Sequence, residues 1–235
     1  MKPGTPYRYI EHPFDTEFGV DTSGYIGARE LATAHAHDAF NNGYSAIAPS
    51  VFREAMRRWQ KTLSSSRARM EAYSFVDVGA GKGRPVLLAS EFAFRKVIGV
   101  EINPSLVTIA QWNVEKWRRE HRSSAPMRVV CADAASFRWP RTPLLVYLYN
   151  PFERDLVERL INRLRAAFSA GPHPLDVLYV NPVHSDLFAQ GSGFKHVWST
   201  RLTMDQSDQD ADPYATTTDV VSQYRLAPNP SGARR

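Results

Sequence analysis

Asp77, Gly79, Gly81, Gly83 and Glu101 have the types and spacing to hold a polar small molecule. Asp77 lies near the end of the apolar run SFVDV, Gly79-Ala80-Gly81-Lys82-Gly83 follows, and Glu101 closes the next apolar run, KVIGVE. Glycines let a ligand approach the main chain where a Cβ would collide. Two carboxylates at the tips of neighbouring strands suit a nucleoside-type ligand without saying which one. Two phosphate-binding patterns fit poorly. The third site of a dinucleotide loop, G-x-G-x-x-G, is occupied by Arg84 and followed by Pro85. Lys82 lacks both the four-residue spacer and the following Ser or Thr of a Walker loop.

Such groups need a rigid scaffold, and the chain supplies one. From Tyr73 onward, apolar runs alternate with amphipathic stretches, the pattern of a parallel sheet covered by helices. The pattern predicts strands at Ser74–Val78, Lys96–Glu101, Met127–Cys131, Leu144–Tyr149 and Leu175–Val180. Helices are expected near Arg84–Phe94, Ser105–Arg119 and Glu153–Phe168. In the last of these, Leu156, Leu160, Leu164 and Phe168 recur on one face with Val157 and Ile161. Asn103 before Pro104 is the cap-then-proline order that opens a helix. Two further runs, FKHVWSTRLTM and DVVSQYRLA, are joined by DQSDQDADPYATTT, which has no helical pattern. They predict an antiparallel hairpin at one sheet edge.

The expected fold is therefore α/β: a Rossmann-like sheet of seven strands, five parallel plus a C-terminal antiparallel hairpin. Upstream, Phe52, Ala55, Met56, Trp59 and Leu63 share a face of a helix around Ser50–Leu63, and a looser helix is expected over Ala28–Phe40. Residues 1–72 are read as a helical extension forming a lid over the carboxyl ends of the strands, 73–227 as the sheet domain, and 228–235 as a disordered tail.

Composition sets the outer bounds. With 235 residues, 43% of them hydrophobic, the chain can bury a full core. Cys131 is the single cysteine, which excludes an intrachain disulfide and fits a reducing, cytoplasmic setting. The start lacks the apolar segment of a signal peptide, and no apolar stretch is long enough to span a bilayer, so no membrane partner is expected. The formal charge of +5 favours an acidic partner only weakly, because the arginines sit among acids.

The pattern D-x-G-x-G-x-G, with an acid after the next strand, resembles motif I and its partner in class I S-adenosylmethionine-dependent methyltransferases. FDTEFGVDTSG (residues 14–24), DVGAGKGRPVLLASEF, VIGVEINPSL and LYNPF together are similar to a bacterial branch of that family. The glycine loop and GVE also resemble the non-SET histone-lysine methyltransferases. The resemblance covers most of residues 14–200 and implies S-adenosyl-L-methionine as cofactor. It places Asp77 near the methionine ammonium and the main chain of Gly79, Ala80, Gly81 and Gly83 along the methionine moiety. Glu101 would accept from both ribose hydroxyls, with Ile102 alongside. Asp133, in CADAASF, would meet the exocyclic amine of adenine, with Ala134 supplying a main-chain amide.

For the methyl acceptor the resemblance points to LYNPF. Amino-directed members carry Asp or Asn, two prolines and an aromatic residue here; Asn150, Pro151 and Phe152 match in part, with one proline missing. Asn150 is also a candidate contact to the cofactor. A helix opening with proline in its first turn explains the same residues. Asn181-Pro182 repeats the arrangement after the fifth strand, followed by His184, a candidate general base that a packing or surface role explains as well. Tyr44, Asp21 and Thr22 are lid candidates. No metal site is expected: His35 and His37 diverge on a helix. Asp208, Asp210, Asp212 and Asp219 copy calcium-loop spacing, yet proline stands where that loop requires glycine, so a solvated loop is favoured. Trp112 and Trp117 read as the apolar side of a helix.

The function expected is methyl transfer to a nitrogen of a protein side chain or small-molecule amine. The alternatives are a nucleic-acid methyltransferase and a non-catalytic S-adenosylmethionine-binding regulator.

Overall fold

The computed structural model describes residues 10–63, 69–120, 123–169, 171–189, 191–212 and 214–226. The N-terminal part contains α1 (Pro13–Phe18), β1 (Tyr25–Ile26), β2 (Tyr44–Ser45) and α2 (Pro49–Leu63). Then follow β3 (Ser74–Val78), α3 (Arg84–Ala89), β4 (Lys96–Glu101), α4 (Pro104–Glu120) and β5 (Met127–Cys131). The chain continues through β6 (Leu144–Tyr149), α5 (Arg154–Phe168), β7 (Leu175–Val180), β8 (Phe194–Thr203), α6 (Gln206–Ala211) and β9 (Thr218–Leu226).

Seven strands form one sheet in the order β5-β4-β3-β6-β7-β9-β8. The first five of that row are parallel, while β9 runs antiparallel to both β7 and β8. The expected parallel strands and edge hairpin are as observed, and the architecture is the Rossmann-like sheet of class I methyltransferases. Strand order reverses between β3 and its two neighbours, which opens a crevice beyond the carboxyl ends of β3 and β6.

Helices cover both faces. On one, α2, α3 and α4 bury Phe52, Met56, Trp59, Leu87 and Val114 against Phe75, Val97 and Tyr147. On the other, α5 lays Leu156, Val157, Leu160, Ile161 and Leu164 over Val76, Val146 and Val177. Each such side chain contributes about 1.5–3 kcal/mol when fully buried. The helix at Pro49–Leu63 is thus part of the core: Phe52 meets Tyr147 edge-on at 5.3 Å and Trp59 stacks on Phe94 at 5.5 Å. Trp59 Nε1 also donates to Asp176 Oδ2 on β7 (3.1 Å). Arg225 on β9 donates to both Asp176 oxygens and to Thr62 Oγ1 (3.2 Å). One buried carboxylate thereby ties α2 to the two strands beside it.

Five expectations need correction, the first being Trp112 on the apolar side of α4: it is 51% exposed. Ala28–Phe40 forms no helix; only a 3₁₀ turn at Asp38–Phe40 appears. Asp38 instead accepts from the main-chain N–H groups of Thr33 (2.6 Å) and His35 (3.0 Å), a local alternative to helical bonding. The helix expected to reach Phe94 stops at Ala89, where the Ser90 N–H bonds back to Val86 and Leu87. The hairpin linker contains a helix, α6, capped by Asp205, whose side chain accepts from Asp208 N–H. Asp208 and Asp219 are buried, not solvated, each 3% exposed. The tail at 228–235 lies outside the described residues. No described helix is long and apolar enough to cross a membrane.

Candidate functional site

The loop between β3 and α3 bends through Gly79 (φ 77°) and Gly81 (φ 54°), conformations that L-residues with side chains rarely adopt. Close approach makes the same demand. A Cβ on Gly79 would lie 2.8 Å from Pro151 Cβ, and one on Gly81 would strike the Tyr44 ring at 2.3 Å. Gly83 serves a different end: it caps α3 and lies outside the cavity lining.

A cavity opens above this loop at the carboxyl ends of β3, β4 and β6. Asp77, Gly79, Ala80 and Gly81 form its floor, and Glu101, Ile102, Asp133 and Ala134 one side. Pro151 and Phe152 lie opposite, and His37 and residues 41–47 complete the enclosure. Ten of the sequence-predicted positions thus converge. Asn150, Gly83 and His184 do not line this cavity.

Glu101 is held with both oxygens occupied: Oε2 accepts from Gly81 N–H (2.8 Å) and Oε1 from Asn103 N–H (2.9 Å). Burial raises its carboxyl above the usual range, and the N–H groups of Asn103, Gly81 and Ile102 act against that rise. Asp77 has less support. It is 1% exposed, and its Oδ2 has no hydrogen-bond partner. Burial, then the nearby Glu101 charge, pushes its carboxyl well above the usual range. A buried acid in this state is unsatisfied until a cation or donor arrives. At the far end, Asp133 Oδ1 accepts from Ala135 N–H (2.8 Å), and Oδ2 lies 3.2 Å from His37 Nδ1.

Neighbouring segments fix the glycine loop from behind. Lys82 Nζ bonds Asp21 Oδ1 (2.7 Å) and Ser23 O (2.9 Å). Arg84, 3% exposed, donates to Thr22 Oγ1 (2.7 Å) and Ile47 O (3.2 Å), and its Nη2 lies 3.4 Å from Asp15 Oδ1. Asn113 on α4 accepts from Asp21 N–H and donates to Asp21 O and Lys82 O. FDTEFGVDTSG and GKGR are therefore two halves of one buried latch. In sequence Arg84 is only a misfit in a dinucleotide loop, and nothing local points to its partner Asp15 in the distant FDTEFG stretch. Tyr44 closes the arrangement, with its hydroxyl donating to Thr22 O (2.6 Å) and its ring against Gly81.

The LYNPF turn is also engaged by the upstream chain. Asn42 donates from Nδ2 to Asn150 O (2.7 Å) and from its main-chain N–H to Pro151 O (3.0 Å). Glu153 N–H donates to Phe40 O (2.8 Å), and Asn41 bridges Phe152. Asn150 sits at φ 39°, with Oδ1 accepting from the Tyr179 hydroxyl (3.2 Å). His184 precedes a 3₁₀ turn at Ser185–Phe188. The Asn181 side chain joins Asp219 Oδ1 (2.7 Å) to Val220 N–H (3.1 Å), so it pins β7 to β9.

No family model and no curated protein matches this chain. Solved structures match in fold. A protein of Pyrococcus horikoshii described as a candidate RNA methyltransferase superposes with TM-score 0.52 at 14% identity, over 75% of this chain and 83% of its own. A candidate methylase of Haemophilus influenzae gives 0.49 at 14% identity over 75% and 98%. The ribosomal protein L11 methylase of Lactobacillus delbrueckii subsp. bulgaricus gives 0.48 at 12% identity over 75% and 78%.

Proposed function

We propose that the chain is an S-adenosylmethionine-dependent methyltransferase whose acceptor is a nitrogen of a protein side chain or small-molecule amine. The observation that carries this reading is the pair of buried acids flanking the glycine floor. Glu101 is oriented by Gly81 and Asn103 N–H groups, while Asp77 keeps an oxygen without a partner. An unpartnered, desolvated carboxylate beside bare main chain fits the ammonium of an amino-acid moiety. An oriented second carboxylate fits a ribose diol. Asp133 would receive the adenine amine, with the Ala134 N–H beside it and Ile102 against the ring.

The cofactor, when bound, supplies a methyl group on a positively charged sulfur. The protein's part is to align the acceptor with that methyl and keep water out. Phe152 and Pro151 wall the acceptor side, and residues 41–47 cover it. The fold likeness to the Pyrococcus protein fits this reading, and that protein's description raises RNA as an acceptor. An amine is preferred because Asn150-Pro151-Phe152 matches amino-directed members in part.

Calorimetric titration with S-adenosylhomocysteine tests the cofactor, expecting saturable 1:1 binding that Glu101→Ala removes. Absence of heat from well-folded protein would overturn the reading.

A further inference from the structure

The segment that covers the cavity carries a histidine that no motif accounts for. Leu31, Ile102, Leu106 and Ala134 give one end of the cavity apolar walls, and His37 and Asp133 bring polar groups to the same end. The covering segment is held there at two points. Asn103 Nδ2 donates to Leu31 O (2.9 Å), and His37 Nδ1 lies 3.2 Å from Asp133 Oδ2. Between these points the turn is braced from within. Asp38 takes the Thr33 and His35 N–H groups, and the His37 N–H donates to His35 Nδ1 (3.1 Å). The His37 ring stands edge-on to Phe40 at 6.3 Å.

The contact between His37 and Asp133 is incomplete. At 3.2 Å the ring nitrogen misses the line of a hydrogen bond, and this buried Nδ1 has no other partner among the described residues. Asp133 Oδ1 is taken by the Ala135 N–H (2.8 Å), which leaves Oδ2 as the oxygen with capacity to spare. A carboxylate only accepts, so the imidazole proton belongs on the nitrogen that faces it. The cavity wall thus sets an acceptor and an unspent donor side by side. A buried donor in that state is a cost until an acceptor reaches it.

The ligand edge that satisfies both groups is a donor next to an acceptor, and adenine presents one: its N6 amine beside a ring nitrogen. We propose, resting on the transferase reading above, that His37 reads the cofactor's base. Asp133 Oδ2 accepts from the N6 amine while His37 Nδ1–H donates to the adjacent ring nitrogen, N1 or N7. The base is then read jointly by the sheet and by the segment that closes over it. Position argues against His37 as a base for the acceptor: Asp133 follows β5, three strands from β6 and LYNPF, about 14 Å away. A metal is disfavoured too, since no third ligand-type side chain joins the pair among the described residues.

The test is calorimetric titration of the full-length protein with S-adenosylhomocysteine and with its 1-deaza and 7-deaza analogues, in which one ring nitrogen is replaced by C–H. Wild type should bind at least one analogue about tenfold more weakly than S-adenosylhomocysteine. In His37→Ala that analogue and S-adenosylhomocysteine should bind alike, and His37→Asn, whose amide donates, should restore part of the difference. A histidine that only braces the turn would weaken all three ligands together on substitution, leaving their ratios as in wild type. That result overturns the proposal, as does wild type binding all three equally. If His37→Ala fails to fold, the wild-type ratios and His37→Asn decide. Failure of S-adenosylhomocysteine itself to bind sinks the transferase reading, and this proposal with it.

Discussion

Asp15 and Arg84 face each other across 3.4 Å with side chains 1% and 3% exposed, joining α1 to the first turn of α3. Asp15 also accepts from the N–H groups of Thr22 and Ser23, both at 2.6 Å, so the whole GVDTSG turn hangs on one carboxylate. Removing one partner leaves the other charge buried alone. Arg84→Ala should cost about 3–5 kcal/mol in urea denaturation. Arg84→Lys should recover little of it, because an ammonium cannot reproduce the guanidinium fork toward Thr22, Ile47 and Asp15. A lysine variant of wild-type stability would refute the latch.

Asp77 should trade stability for binding. Asp77→Asn removes a buried charge and should stabilise the ligand-free protein by about 1 kcal/mol near neutral pH, while weakening S-adenosylhomocysteine at least tenfold. The sign with pH follows from linkage. The folded state holds the Asp77 proton more tightly than the unfolded chain, so this group's contribution is full below the unfolded pKa and fades as pH rises through the folded one. Thermal melts from about pH 4.5 to 8 should show a wild-type decline that is shallower in Asp77→Asn. Parallel profiles would exclude the assignment.

Glu101→Gln keeps an oxygen for one main-chain donor and loses the charge. Charge-assisted hydrogen bonds contribute about 1.5–3 kcal/mol, so S-adenosylhomocysteine affinity should drop roughly tenfold to a hundredfold. An unchanged Kd would show that Glu101 only braces the loop through Gly81.

Asn150→Ala should spare S-adenosylhomocysteine binding and abolish labelled methyl transfer to a panel of primary amines. Its left-handed φ of 39° adds a folding cost of about 1–2 kcal/mol, which Asn150→Gly avoids. Equal turnover by the glycine variant would remove Asn150 from the acceptor site.

Asn42→Ala deletes the Nδ2 bond to Asn150 O while leaving its own main-chain N–H on Pro151 O. Hydrogen exchange at the Asn42 and Glu153 amides should quicken severalfold if that side chain clamps the turn. Unaltered exchange would show that the Phe40–Asn42 main chain suffices.

The strands and the ligand floor were legible because their causes are local. Apolar runs ending in Asp77-Val78 and Glu101, followed by glycine or a capping Asn103, announce strand tips directly. The six-residue helix α6 was not legible, since QSDQDA carries a single apolar residue and its anchor is His12 and Ser50 on Asp208, far upstream. The role of Arg84 was not legible either, because the acid that neutralises it lies 69 positions away. Ala28–Phe40 erred the other way. A helix was expected there, and the Asp38 side chain captures the main chain instead.

The tie among Trp59, Thr62, Asp176 and Arg225 carries a consequence for biosynthesis. Helix α2 depends on a partner stretch 163 residues further along the chain. Until that stretch emerges, the apolar face of the helix has no finished surface to rest on, and a stalled or truncated nascent chain exposes it. Emergence of β9, rather than of the glycine loop, is the event that completes the surface this helix rests on.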